Sequence, residues 1–446
     1  MKNQGRFCDR IKRRNFLQWG ATGAFGMGIS LPQLLHSQAV DRNQNRTTKD
    51  VSLIVVFLQG GLSTIDTWDM KPEAPMEFRG EFSPISTAVS GIQICEHLPQ
   101  VAKHQDKFSL VRSFGHGDSN HGSADHAMLT GYAPAAGFNG GLKPNNQKPC
   151  LGSIISKEQG PRGSVPPYVC LPKMHNSAGS SFLGPTAAPF VVAADPNAPD
   201  FKVPDLVPPV TIAANRLGNR RSLLQRINRY QGSMETRANQ DVQSMNTFQQ
   251  KAFDLMTSAA TKHAFDIEQE TPQLRDQYGR NSLGQSCLMA RRLVQAGVRC
   301  VLIDHIDWDT HYNNFHVLRN EPLPQLDGAM AGLLGDLDNQ GMLDSTMVLV
   351  TGEFGRTPRI NKDAGRDHWG PSTTIALAGG GIQGGRIIGA SDERAERPAT
   401  TPYGPADLMA TIYRGLGVRR DQVFYTPDGR PIPIVPGDGK VIPGLF

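Results

Sequence analysis

The sequence predicts an α/β protein built on a largely parallel sheet covered by helices on both sides. Three observations lead there. Short β-branched runs recur, among them Ser52–Leu58 (SLIVVFL), 298–303 (VRCVLI) and Thr346–Thr351 (TMVLVT), and they read as strands buried on both faces. Amphipathic helical patterns alternate with these runs. Polar residues able to do chemistry collect just after the runs, at the carboxyl ends where open α/β sheets gather ligands.

Taken in order, residues 1–39 read as a twin-arginine signal peptide. Arg13-Arg14-Asn15-Phe16-Leu17-Gln18 precedes a weakly apolar stretch from Trp19 to about Leu35, and Ser37-Gln38-Ala39 offers small residues for cleavage after Ala39. Gly20, Gly23, Gly26 and Gly28 would make a poor amphipathic helix. The signal implies the twin-arginine export machinery as a partner, and a folded product in the periplasm or cell envelope. Residues 40–50 are a polar linker, and 51–446 the α/β domain. Ser52–Leu58 runs into Gln59-Gly60-Gly61, residues 108–112 form a weaker strand, and helical character covers 124–129. The Pro- and Gly-rich stretch 133–210 predicts long surface excursions rather than regular layers. Residues 216–277 are polar, with Leu223, Leu224, Ile227, Tyr230, Phe248, Phe253, Leu255 and Met256 at helical spacing. They predict a helical cap, so that a loop-rich and helical insertion spans about 133–280. Helices follow at 283–296, at 323–337 with Leu323, Leu326, Met330, Leu334 and Leu337 on one face, and at 405–416; Thr373–Ala378 is a further strand.

Charge and cysteines exclude more than they assign. Six of the 46 basic and one of the 41 acidic residues fall in 1–39, leaving 40 of each in the remainder. That balance gives no basic surface for nucleic acid. No later apolar run approaches the ~20 residues of a transmembrane helix. Beyond the leader, Cys95, Cys150, Cys170, Cys287 and Cys300 contain no CxxC pair, which leaves one or two disulfides and buried free thiols as alternatives.

The polar clusters after strands are Ser63 and Asp66 behind Gln59-Gly60-Gly61; His116-Gly117-Asp118-Ser119-Asn120-His121-Gly122; Asp304 to His311; Gly352-Glu353-Phe354-Gly355-Arg356; and Asp367-His368-Trp369-Gly370. Carboxylates mixed with imidazoles suit Zn²⁺ or Mn²⁺ better than Ca²⁺, which prefers oxygen ligands. Any one of these histidines, taken alone, reads as a hydrogen-bonded loop residue; jointly they point to a divalent metal site. Asp309 and His311 share one side of an extended segment. With Glu353 and His368 they are the strongest candidate ligands. Asp367 is either a ligand or the partner that orients His368. Asp304, His305 and Asp307 are too crowded for more than one or two to point inward, and the rest are expected to be solvated. His97, His104, His263 and His316 read as ordinary histidines. Arg356 either holds an anionic substrate or is a structural ion-pair partner.

The segments LQGGLSTIDTWDMKP, EFRGEF, GIQICEHLP, MLTGY, WDTHYNNF, GEFGRTPRINKDAGRDHWGP and GGGIQGGRIIGASD resemble the exported bacterial family known as domain of unknown function 1501, from about residue 50 to the C-terminus. The resemblance implies a three-layer fold like that of alkaline phosphatases, sulfatases and cofactor-independent phosphoglycerate mutases. In that superfamily Glu353-Phe354-Gly355 would stand where Asp-His-Gly is usual, and His368 is similar to the last metal-binding histidine. The first-strand loop, often Asp-Gly in relatives, is Gln59-Gly60, so Asp66 would have to supply any carboxylate there. Counting back from Thr130-Gly131 to the usual nucleophile lands on His121, with Ser119 and Ser123 out of register.

Two functions follow as expectations. One is a metal-dependent hydrolase of phosphate or sulfate esters, working with one metal or with a rearranged pair, on a small anionic or carbohydrate-linked ester. Asp309, His311, Glu353 and His368 would hold the metal, His121 would be nucleophile or general acid/base next to Asn120, and helix-end amides at 121–124 would receive the anion. The other is a non-catalytic envelope binding protein that keeps a sulfatase-like shell.

Overall fold

The computed structural model describes residues 50–203, 206 and 258–446. The expected signal peptide, nearly all of the expected linker, and the greater part of the expected helical cap (216–257) lie outside the described residues. Among those described, eight strands form the main sheet. They are β1 (Ser52–Leu58), β2 (Phe108–Phe114), β3 (Tyr168–Leu171), β4 (Phe190–Val191), β5 (Cys300–His305), β6 (Thr346–Thr351), β7 (Thr373–Ala378) and β8 (Ile387–Ile388). Their order across the sheet is β8-β2-β7-β6-β1-β5-β3-β4. β1 lies at the centre, parallel to β5 and β6, with Phe57 beside Asp304 on one side and Thr351 on the other.

Alternation of side chains divides the core in two. Ile54, Val56 and Leu58 turn to one face of the sheet with Val301 and Ile303, under α3 (Ser282–Gln295) and α4 (Pro322–Asn339). Val51, Leu53, Val55 and Phe57 turn to the other, under α1 (His121–Thr130), α2 (Leu151–Gln159) and α5 (Pro405–Gly415). The result is a three-layer α/β architecture, as expected. Each fully buried Leu, Ile or Phe contributes about 1.5–3 kcal/mol relative to exposure, which is why the unbroken apolar runs become the central strands. Local signals set the helix ends. The Asn281 side chain accepts the Gly284 N–H at the start of α3, and α1 stops at Gly131 in the left-handed region (φ 81°).

Two expectations are corrected, and two points left open are resolved. β7 is antiparallel to both β2 and β6. No crossover helix separates β6 from β7, so the chain doubles back and enters β7 from the end at which it left β6. The Pro- and Gly-rich stretch is not all surface excursion, because it supplies α2 and the buried strand β3. That four-residue strand lies close to Pro167 and Pro172, and its identity comes from pairing with β5 rather than from local pattern. β5 begins two residues later than expected and takes in Asp304 and His305; both are buried and Asp307 is exposed, which agrees with one or two of this crowded run pointing inward. The cysteine alternatives are also settled: all five described cysteines are buried free thiols. Among the described residues no helix is long and apolar enough to cross a membrane.

Candidate functional site

Five loops meet at the carboxyl ends of β1, β2, β5 and β6. Close backbone contact holds them. Gly60 (φ 115°) follows β1, and a Cβ there would fall 2.5 Å from the Asp309 nitrogen, so only glycine lets these two loops touch. Gly370 is pressed against the Asp118 carbonyl in the same way, and its N–H donates to Ser119 Oγ at 2.9 Å. Trp308, fully buried, anchors the β5 loop and donates from Nε1 to His305 Nδ1 at 3.0 Å. Gly355–Arg356 and His368–Trp369 form a small antiparallel ribbon that carries the later residues.

On this frame His121, Asp309, His311 and His368 come together. His311 Nε2 and His368 Nε2 lie 3.0 and 3.1 Å from Asp309 Oδ1 and 2.9 Å from each other, while His121 Nε2 is 3.4 Å from Asp309 Oδ2. Ligand atoms of His121, Asp309 and His368, one from each, lie within 4.8 Å of one another. Every imidazole has its other nitrogen tied down. His121 Nδ1 meets Glu353 Oε1 at 2.7 Å, His311 Nδ1 meets Asp367 Oδ1 at 2.7 Å, and His368 Nδ1 meets the Ser119 carbonyl at 3.0 Å. Each of these oxygens only accepts, so each Nδ1 carries its proton and donates it. Nε2 is then left as the atom that must take up a proton or a cation. The group is open to solvent, with Asp309 45% and His121 38% exposed at the side chain.

The remaining candidates are placed differently. Glu353 is fully buried and does not face the centre; both its oxygens accept the Gly60 N–H, at 2.9 and 3.1 Å, and Oε1 also holds His121. Asp367 orients His311 rather than His368. Asp66 is remote from the cluster: it is fully buried, paired through both oxygens with Arg366 at 2.8 Å, and bonded to Ser63 and Asn314. Arg356 does not reach an open site. Its side chain is buried, wrapped by the carbonyls of Gly60, Gly61, Trp308 and Arg366, and it donates to Asp309 Oδ1. Asn120 is exposed at the N-cap of α1, and its side chain makes no capping bond.

Electrostatics follow this geometry. Burial disfavours the Asp309 carboxylate, but hydrogen bonds from His121, His368 and Arg356 hold its pKa far below the usual carboxylate range. Hydrogen bonds to Asp309 and Glu353 lift the His121 imidazole to about 10. Burial raises Glu353, with His121 opposing. The hydrogen bond from His311 lowers Asp367.

Sequence reasoning missed several parts. The Ser119 carbonyl that orients His368 carries no side-chain signal. Phe354 packs its ring 4.5 Å from that of His368 and 5.2 Å from that of His121, forming an apolar wall. Asp125, one helical turn after His121, and His175 are both buried, with Asp125 Oδ1 and His175 Nε2 at 3.5 Å.

No curated protein matches the chain. Among solved structures it is similar to the PsFucS1 sulfatase from Pseudoalteromonas sp., at 14% identity and a TM-score of 0.39, over 85% of this chain and 70% of that one. The phosphonate monoester hydrolase SpPMH from Silicibacter pomeroyi is similar at 10% identity and a TM-score of 0.39, over 88% of this chain and 76% of that one. The alkaline phosphatase from the Antarctic bacterium TAB5 is similar at 14% and 0.33, over 79% and 96% respectively. Residues 50–446 match the family model described as a protein of unknown function, DUF1501, and the chain therefore belongs to that family.

Proposed function

We propose that this protein is a metal-dependent hydrolase of phosphate or sulfate esters, exported to the cell envelope through the twin-arginine pathway. One observation carries the metal: His311 Nε2 and His368 Nε2 stand 2.9 Å apart with both Nδ1 protons committed elsewhere. Two bare lone pairs repel at that distance, and so do two N–H groups. Either one proton shared as an N–H···N bond or a cation, with Asp309 as counter-charge, removes the conflict. A third imidazole on the same carboxylate favours the cation. The residues present therefore fit a divalent ion, and three imidazoles with one carboxylate favour Zn²⁺ or Mn²⁺ over Ca²⁺. His121, His311, His368 and Asp309 would hold it; Glu353, Asp367 and the Ser119 carbonyl would orient the imidazoles. Arg356 would hold three loops and Asp309 in place.

Such an ion supplies a Lewis acid for an anionic ester. The chain's own contribution is an anion receptor. The N–H groups of His121, Gly122 and Ser123 open α1 with no acceptor among the described residues, beside the histidine cluster. Asn120 offers an exposed amide at the same place. One observation favours the binding-protein reading: the nearby hydroxyls are engaged, Ser119 Oγ by Gly370 and Ser123 Oγ by Asn120. Assays of the zinc- and manganese-loaded protein on aryl phosphates and aryl sulfates decide between the two. Turnover abolished by His311→Ala supports the hydrolase; metal bound without turnover of any ester supports the binding protein.

Two further outcomes are expected. Below about pH 10 the metal-free His121 holds a proton that an ion must displace. Zn²⁺ affinity should then rise about tenfold per pH unit through neutrality, with proton release measurable by calorimetry in buffers of different ionisation enthalpy. A pH-independent affinity between 6 and 8 would remove His121 from the ligand set. Gly365→Ala sets a Cβ 1.7 Å from the His311 carbonyl oxygen. The displaced His311 should weaken zinc binding by about 10–100-fold, the usual cost of disturbing a ligand's support, read by competition with a chelator.

A further inference from the structure

We infer that the site takes one ion per chain, and that Phe354 is the side chain that keeps a second one out. This rests on the metal reading above and adds the number of ions to it. The centre offers four donors, His121, His311, His368 and Asp309; shared between two ions, they would leave each with about two protein ligands. Among the described residues the two fully buried acids Glu353 and Asp66 are committed through both oxygens. Glu353 holds His121 and the Gly60 N–H, Asp66 holds Arg366, Asn314 and Ser63, and Asp367, whose Oδ1 takes His311 and Asn361, keeps only Oδ2 uncommitted on a side chain 55% exposed.

Phe354 closes the inner side. Its fully buried ring lies nearly parallel to His368 (30°) and tilted against His121 (41°), so both imidazoles back onto hydrocarbon that offers no donor. The other buried polar group near Glu353 is Asp125 with His175, whose Oδ1 and Nε2 face each other at 3.5 Å, so that His175 adds no lone pair. The Ser177 N–H donates to His175 Nδ1 at 3.0 Å, which leaves the proton on Nε2, pointing at Asp125. That nitrogen presents a hydrogen where a ligand needs a lone pair.

The test uses the full chain titrated with Zn²⁺ and, separately, Co²⁺. One equivalent of zinc per chain and the electron paramagnetic resonance of an isolated Co²⁺ ion are expected. His121→Ala and His311→Ala should each weaken that same equivalent at least tenfold. Two equivalents with exchange-coupled cobalt would overturn the inference, as would a His121→Ala protein that keeps one equivalent at wild-type affinity. Phe354→His places a donor on the wall and should raise uptake toward two equivalents; uptake fixed at one would remove Phe354 from the explanation. Wild-type protein that binds no ion at all defeats the metal reading itself, a result distinct from binding two.

Discussion

Asp309→Asn is expected to lower zinc affinity by at least about 100-fold, the upper end of what disturbing a ligand's outer partner costs. Asp309 is the only anion among the four converging donors, and both its oxygens are used, Oδ1 toward His311 and His368 and Oδ2 toward His121. An amide keeps the shape and loses the charge. Three imidazoles would then face a cation beside the Arg356 guanidinium, whose charge Asp309 now offsets. Asp309 is 45% exposed and Arg356 keeps its carbonyl partners, so the fold should survive. Chelator competition on the folded variant measures the loss. An affinity within threefold of wild type would mean that the ion, if bound, sits elsewhere.

The largest effect on stability should come from a fully buried acid of these loops. Asp66→Ala is expected to cost about 3–5 kcal/mol, because it strands the Arg366 guanidinium without its counter-charge. Both side chains are fully buried, and Arg366 also donates to the Phe78, Thr357 and Pro358 carbonyls. The pair thus ties the loop after β1 to the segment that leads into His368. Replacing both partners by apolar residues of similar volume should cost clearly less than either single change, since no charge is then left uncompensated. Urea unfolding of the two single variants and the double variant checks this. A single variant that loses under 1 kcal/mol would show that water reaches Arg366 and takes the place of Asp66.

Much of this was legible in the sequence, and the misses share a cause. SLIVVFL, TMVLVT and TTIALA are unbroken apolar runs, and their bounds match β1, β6 and β7. The direction of β7 was not legible, because it depends on the absence of a crossover rather than on its residues. The strand-end rule picked out Asp309, His311 and His368 because position after a strand is a local property. It also selected Asp66, which is paired with Arg366 instead, and Glu353 and Arg356, which hold His121 and Asp309 from behind rather than offering ligand atoms. Whether a loop carboxylate faces a cavity or a buried guanidinium is decided by its partner, and Arg366 lies 300 residues from Asp66. Likewise, nothing in HGDSNHG says that the Ser119 carbonyl, and not a side chain, will hold His368.

The doubling back of the chain between β6 and β7 bears on the order in which the molecule assembles. Arg356, Asp367 and His368 all ride on that one excursion between adjacent strands, so this half of the centre is close in contour length and needs little loop closure. Asp309 and His121 arrive only with the docking of β5 against β1 and of α1 against the sheet, contacts between distant parts of the chain. The geometry proposed to grip a cation therefore completes in the last stages of folding, and a nascent chain that has not reached them has no such grip to offer.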